Sequence, residues 1–144
     1  VNDARPRYVF LDHTGDAEFR AFGATLEEAL VNAGLALASL MWDWEGVEPV
    51  RSRPVEAEGR DLPQLLVGYL EEILYAFEVE GFLLAAVEGL RLDRNGDRRR
   101  LRATLRGDRL SEKYALRGEV KAVTYNDLRV EQDRGAMVQV VVDV

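Results

Sequence analysis

Apolar and polar positions in this chain follow two periods, and the changes from one to the other divide it into strands and helices. Ala17, Phe19 and Ala21 alternate with Glu18, Arg20 and Phe22, the spacing of a half-buried strand in which Phe22 interrupts the polar face. Tyr8 to Leu11 reads as a strand ahead of it. Beyond Gly23 the period changes. Leu26, Ala29, Leu30, Ala33, Leu37, Leu40 and Met41 recur at helical spacing and line one face. Thr25 before them and Glu28 three positions later form the reciprocal pattern of a capping box. Trp42 to Gly46 closes this helix and turns the chain. Residues 47–58 set Val47, Val55 and Ala57 among charges, with Pro49 and Pro54 between. Proline removes a ladder donor, so this stretch reads as an edge strand.

A second helix starts at Asp61 as N-cap, with Pro63 tolerated in its first turn. Its stripe runs from Leu62 through Leu66, Leu70 and Ile73 to Phe77 and is broad enough to pack on a sheet. Residues 82–92 and 101–106 read as strands around Asp93–Asp97, where Asn95-Gly96 predicts a type I′ hairpin turn. Residues 108–118 are polar and read as loop, and 120–125 as a strand or a short helical turn. Residues 128–132 and 137–142 are closing strands parted by a turn at Asp133–Gly135. No repeat, low-complexity segment or linker stands out. The pattern predicts one α+β domain over residues 1–144, mostly antiparallel sheet with two amphipathic helices.

Composition narrows the chemistry. With 144 residues, 47% of them apolar and 31% charged, the chain can bury a continuous core. No apolar run approaches the roughly 20 residues of a membrane span. Val1 to Arg7 lacks an apolar signal core, so a cytoplasmic location is the default expectation, with no membrane partner. The absence of cysteine excludes disulfides, thiolate metal sites and cysteine nucleophiles. A single histidine leaves no His-rich zinc site, so any metal would be a hard cation on oxygens. A net charge of −7 lacks the basic footprint of a nucleic-acid binder.

The densest chemistry lies in Leu11-Asp12-His13-Thr14-Gly15-Asp16, which holds two carboxylates and the only histidine. Asp143 closes the apolar strand at the other end, and the two ends are expected to meet. Each residue also has a plainer reading. Asp12 and Asp16 can cap local amides in a turn. His13 serves as ligand or base, or as a hydrogen-bonded structural residue, and no triad stands ready to recruit it. Lys121 pairs with the aspartates or touches a partner, or is a surface lysine beside a buried Thr124–Tyr125 pair. Arg94 and Arg98–Arg100 read as a solvated hairpin end, since no aromatic residues are interleaved to stack bases. Trp42 and Trp44 flank a helix end and read as core, or one of them as exposed for contact with a partner.

Four stretches resemble, in order, the motifs of the archease family. They are Leu11–Asp16, Thr25-Leu26-Glu27-Glu28-Ala29, Glu119–Tyr125 and Val142-Asp143-Val144. The chain departs from the family at Gly15, usually alanine, which makes the turn more pliable, and at Phe22, commonly tryptophan or histidine. The resemblance implies a divalent-metal site of Asp16, Asp143 and the main-chain or terminal oxygen of Val144, with Asp12 as a further ligand or as a hydrogen-bonding neighbour of the ligands. His13 and Lys121 stand behind it or at an interface. Calcium is the first expectation, with magnesium or manganese as alternatives. The implied role is that of an accessory protein, not an enzyme, for an RtcB-type RNA ligase in tRNA splicing. It promotes guanylylation of the ligase by GTP and multiple turnover. The rival readings are a stand-alone metal-dependent phosphoester hydrolase and a general chaperone or adaptor for nucleic-acid-modifying enzymes.

Overall fold

The computed structural model describes residues 4–12 and 14–144. In chain order it runs β1 (Tyr8–Leu11), β2 (Asp16–Gly23), α1 (Leu26–Ser39), a 3₁₀ turn (Trp44–Gly46), β3 (Arg51–Gly59) and α2 (Leu62–Glu80). There follow β4 (Phe82–Asn95), β5 (Arg98–Arg109), β6 (Ala122–Val123), β7 (Arg129–Glu131) and β8 (Ala136–Asp143). The α+β class is as the pattern predicts, but the strands form two antiparallel sheets. One is ordered β1-β2-β8-β6, with β7 also on β8, and the other β3-β5-β4. Residues 47–58 accordingly supply an edge strand, β3. Residues 120–125 supply the two-residue strand β6 and no helical turn. No helix among the described residues is long and apolar enough to cross a membrane.

The helices lie between the sheets. From its spacing α1 is expected to bury one face, yet Asn32, Gly34 and Ala36 are buried along with the leucines. A helix that is apolar all round is flanked on more than one side, and α1 meets β2 and β8 as well as β4. α2 packs mainly on β3 and reaches both sheets. Each helix is launched by the same device. A strand ends in glycine, a cap follows two residues later, and the helix folds back onto the glycine. Thr25 Oγ1 accepts from the Glu28 amide at 3.2 Å, and Asp61 Oδ1 from that of Gln64 at 2.9 Å. A Cβ on Gly23 would stand 2.4 Å from the Ala29 nitrogen, and one on Gly59 2.7 Å from that of Leu65. Only glycine permits such close approach. The stretches Gly23-Ala24-Thr25-Leu26 and Gly59-Arg60-Asp61-Leu62 are therefore a short structural repeat, which the sequence alone did not reveal.

The hairpin turn sits one residue later than the Asn-Gly signal indicates. Asn95 pairs with Arg98, leaving Gly96 and Asp97 as the loop. Gly96 has φ +68, while Asn95 and Asp97 are not in positive φ. That fits a type II′ turn, with glycine at its first central position, in place of type I′.

The centre of the helix layer contains an unsatisfied group. Tyr69 of α2 is fully buried, and its hydroxyl has no hydrogen-bond partner among the described residues. It lies where α1 has no side chain: a Cβ on Gly34 would be 2.6 Å from it. Burial pushes this phenol far above its ordinary pKa. A buried polar group without a partner costs about 1–3 kcal/mol. Tyr69→Phe is expected to stabilise the protein by about 1 kcal/mol, raising Tm by about 2–4 °C. Thermal unfolding checks this, and a lower Tm would mean that the hydroxyl has a partner.

Candidate functional site

Topology gathers the expected residues at one end of the larger sheet. β1 and β8 finish there, and β2 and β6 begin there. Asp12, exposed, follows β1; Asp16, half-buried, opens β2; Asp143, exposed, closes β8. Asp16 and Asp143 are direct partners in the β2–β8 register, which puts their Cβ atoms about 4.5–5.5 Å apart. The two ends of the chain do meet.

The third motif completes this end. Ala122 pairs with Asp143 in the ladder. The Lys121 amide donates to the Asp143 carbonyl at 2.7 Å. Thr124 gives both its amide and its hydroxyl to the Val141 carbonyl, at 3.1 and 2.8 Å. Lys121 thus reaches the site through its main chain; its side chain is exposed and forms no ion pair with another described residue. Tyr125 is 57% exposed, which corrects the reading of a buried Thr–Tyr pair. Val144 is 41% exposed. His13 lies outside the described residues. Gly15 has φ +81, a conformation L side chains rarely adopt, so glycine does more here than make the turn pliable.

A polar support on the same face was not legible from the motifs. Gln139, the one polar residue between Ala136 and Val142, is 3% exposed. Its Oε1 accepts from Arg20 Nε and its Nε2 donates to the Asp127 carbonyl, each at 2.8 Å. Asp127 holds φ +49. This bridge ties the 124–128 loop to the centre of the sheet, beside the strand ends that carry the aspartates. The available signal was a single amide side chain in an otherwise apolar strand, since a buried amide needs partners.

Two carboxylates directly opposed on neighbouring strands repel, and a cation between them relieves the repulsion. The donors are carboxylate and main-chain oxygens, which suit a hard divalent ion such as calcium. Among the described residues no three acidic or imidazole groups gather into a complete ligand set. Further oxygens would come from the main chain, water or a partner, an open arrangement in keeping with the exposure of Asp143. The donor types fit the expected ion. A cleft of about 500 Å³ beside Arg5, Arg7, Phe22 and Asn32 lies at the opposite end of β2 and includes none of these aspartates.

The Archease protein family model matches residues 8–144. The archease of Pyrobaculum neutrophilum is 41% identical over 140 residues, covering 95% of each chain. That of Thermococcus gammatolerans is 39% identical over 127 residues, covering 88% of this chain and 89% of its own. Among solved structures, Methanobacterium thermoautotrophicum protein 1598 superposes with a TM-score of 0.80 at 31% identity, covering 96% of this chain and 99% of its own. An archease and possible chaperone from Thermotoga maritima shares the fold at a TM-score of 0.55 and 20% identity, covering 100% of this chain and 99% of its own.

Proposed function

We propose, from the premise that this chain belongs to the archease family, that it activates an RtcB-type RNA ligase in tRNA splicing through its acidic sheet end. The carrying observation is the direct register of Asp16 with Asp143, joined by the Lys121 amide. Asp16, Asp143 and the main-chain oxygen of Val144 would hold a divalent ion, with Asp12 at the rim. When bound, the ion supplies positive charge for the phosphates of the ligase's nucleotide. This chain's own residues position and expose that charge; the chemistry belongs to the ligase.

The test is multiple-turnover RNA joining by the cognate ligase with GTP and divalent metal, with and without substoichiometric protein. The expected result is at least a tenfold rise in product per ligase, lost when the metal is chelated and restored by calcium, magnesium or manganese. No acceleration with a competent ligase would reject the proposal. A second reading, a general chaperone, has the description of the Thermotoga maritima relative in its favour. It predicts that client solubility improves regardless of metal.

A further inference from the structure

The β4–β5 hairpin carries chemistry that the accessory role leaves unused. Residues 88–106 hold seven arginines against three carboxylates, in a chain of net charge −7. Some are paired. Arg98 meets Glu58 at 3.4 Å, and Asp93 takes Arg100 Nε and Arg102 Nη2, each at 3.0 Å. These support the solvated-hairpin reading for the tip. Arg91 does not fit it, and Arg102 fits it only through the one nitrogen that meets Asp93.

The ladder steps from Glu88 opposite Thr104 to Arg91 opposite Arg102, leaving Gly89 and Leu90 facing Ala103 alone. Gly89 has φ +61, so this is the bulge form that begins with a left-handed glycine. The inserted residue turns Arg91 to the side of the sheet that Arg102 occupies. Without it Leu90 would stand opposite Arg102. Like charges directly opposed across a ladder are unfavourable. Arg91 has no ion-pair partner among the described residues. Arg102 Nε is buried with no acceptor among the described residues, although another of its nitrogens meets Asp93.

Gly89, Arg91, Arg102, Ala103 and Thr104 line a cleft of about 350 Å³. A Cβ on Gly89 would meet nothing within 4 Å, so the floor at the bulge is open. The lining side-chain groups are two guanidinium groups and a hydroxyl, bordered by Asp93 on Arg102 Nη2 and by Glu56 opposite Arg102 on β3. The nearby Glu88 carboxylate is 3.9 Å from Arg106. A tetrahedral oxyanion satisfies such a set, because guanidinium donors match phosphate oxygens in pairs.

We propose that the bulge cleft binds the phosphate group of a small molecule, inorganic phosphate or a phosphate monoester, between Arg91 and Arg102. The test follows the arginine Nε–H resonances of the full chain during titration with sodium phosphate, against sodium chloride at matched ionic strength. The Arg102 signal should move saturably with phosphate alone. Arg91→Gln and Thr104→Val should each weaken binding about fivefold or more, while Arg94→Gln, outside the cleft, leaves it unchanged. Arg91 is exposed, and the same spectra report whether each variant is folded. Equal shifts in chloride, or full affinity in Arg91→Gln, would overturn the site. A single-stranded oligonucleotide that binds tighter than phosphate and depends equally on Arg94 would overturn the small-molecule assignment.

Discussion

Asp16→Ala and Asp143→Ala are each expected to leave the protein folded while abolishing its assistance to the ligase. Folding should survive because neither side chain contributes to the core: Asp143 is exposed and Asp16 only half-buried. The ladder between β2 and β8 is made by main chain, which alanine keeps. Removing one of two directly opposed carboxylates also removes a repulsion. Stability should therefore change by no more than about 1 kcal/mol. Assistance should fall at least tenfold, to the level of ligase alone, and calcium affinity measured by calorimetry should fall with it. Asp16→Asn and Asp143→Asn, which keep hydrogen-bonding capacity, separate lost charge from lost structure and should fail as the alanine variants do. Full activation by both alanine variants would show that the aspartates are not the working site. Activity retained by the asparagine variants and lost in the alanine ones would make the pair structural.

Much of this site was legible because it is local or terminal. The run from Asp12 to Asp16 lies between two short strands, β2 following from alternation and β1 from a short apolar run. The caps Thr25 and Asp61 were readable for the same reason: a cap acts within three residues of itself. What could not be read is what depends on partners distant in sequence. Nothing in residues 82–109 says that their hairpin joins β3 in a sheet of its own, so the antiparallel class is legible and the division into two sheets is not. The small residues that bury α1 all round look like indifferent positions until a second sheet lies against them. The launching repeat is masked at the level of residue identity because threonine stands for aspartate as the cap, and glutamate for glutamine three positions on. Gln139 shows the same limit. Its role depends on Arg20 and on the Asp127 carbonyl, and only the folded sheet brings all three together.

The largest stability effect should come from Trp42. It is 1% exposed, with its ring 4.9 Å from that of Phe77 on α2. Its Nε1 donates to the Leu84 carbonyl at 2.9 Å. Leu84 adjoins a break in the β4–β5 register, on the outer strand of the smaller sheet. Edge strands leave main-chain groups to be covered, and the indole supplies that cover with a donor attached. Trp42 also bridges to Leu116 through its backbone, so the segment after α1 holds both β4 and the 110–118 loop. Truncation to alanine empties a large volume and leaves a buried carbonyl unpaired, a loss of about 3–5 kcal/mol. Against a total stability of about 5–15 kcal/mol for an ordinary domain, that brings the protein close to its unfolding threshold. Trp42→Phe keeps much of the packing and loses the donor, so it should cost about 1–3 kcal/mol. Urea unfolding measures both. If the two variants lose equally, the Leu84 hydrogen bond, which both lack, rather than ring packing sets the cost. If Trp42→Ala loses less than about 2 kcal/mol, the indole is not what secures the edge of β4.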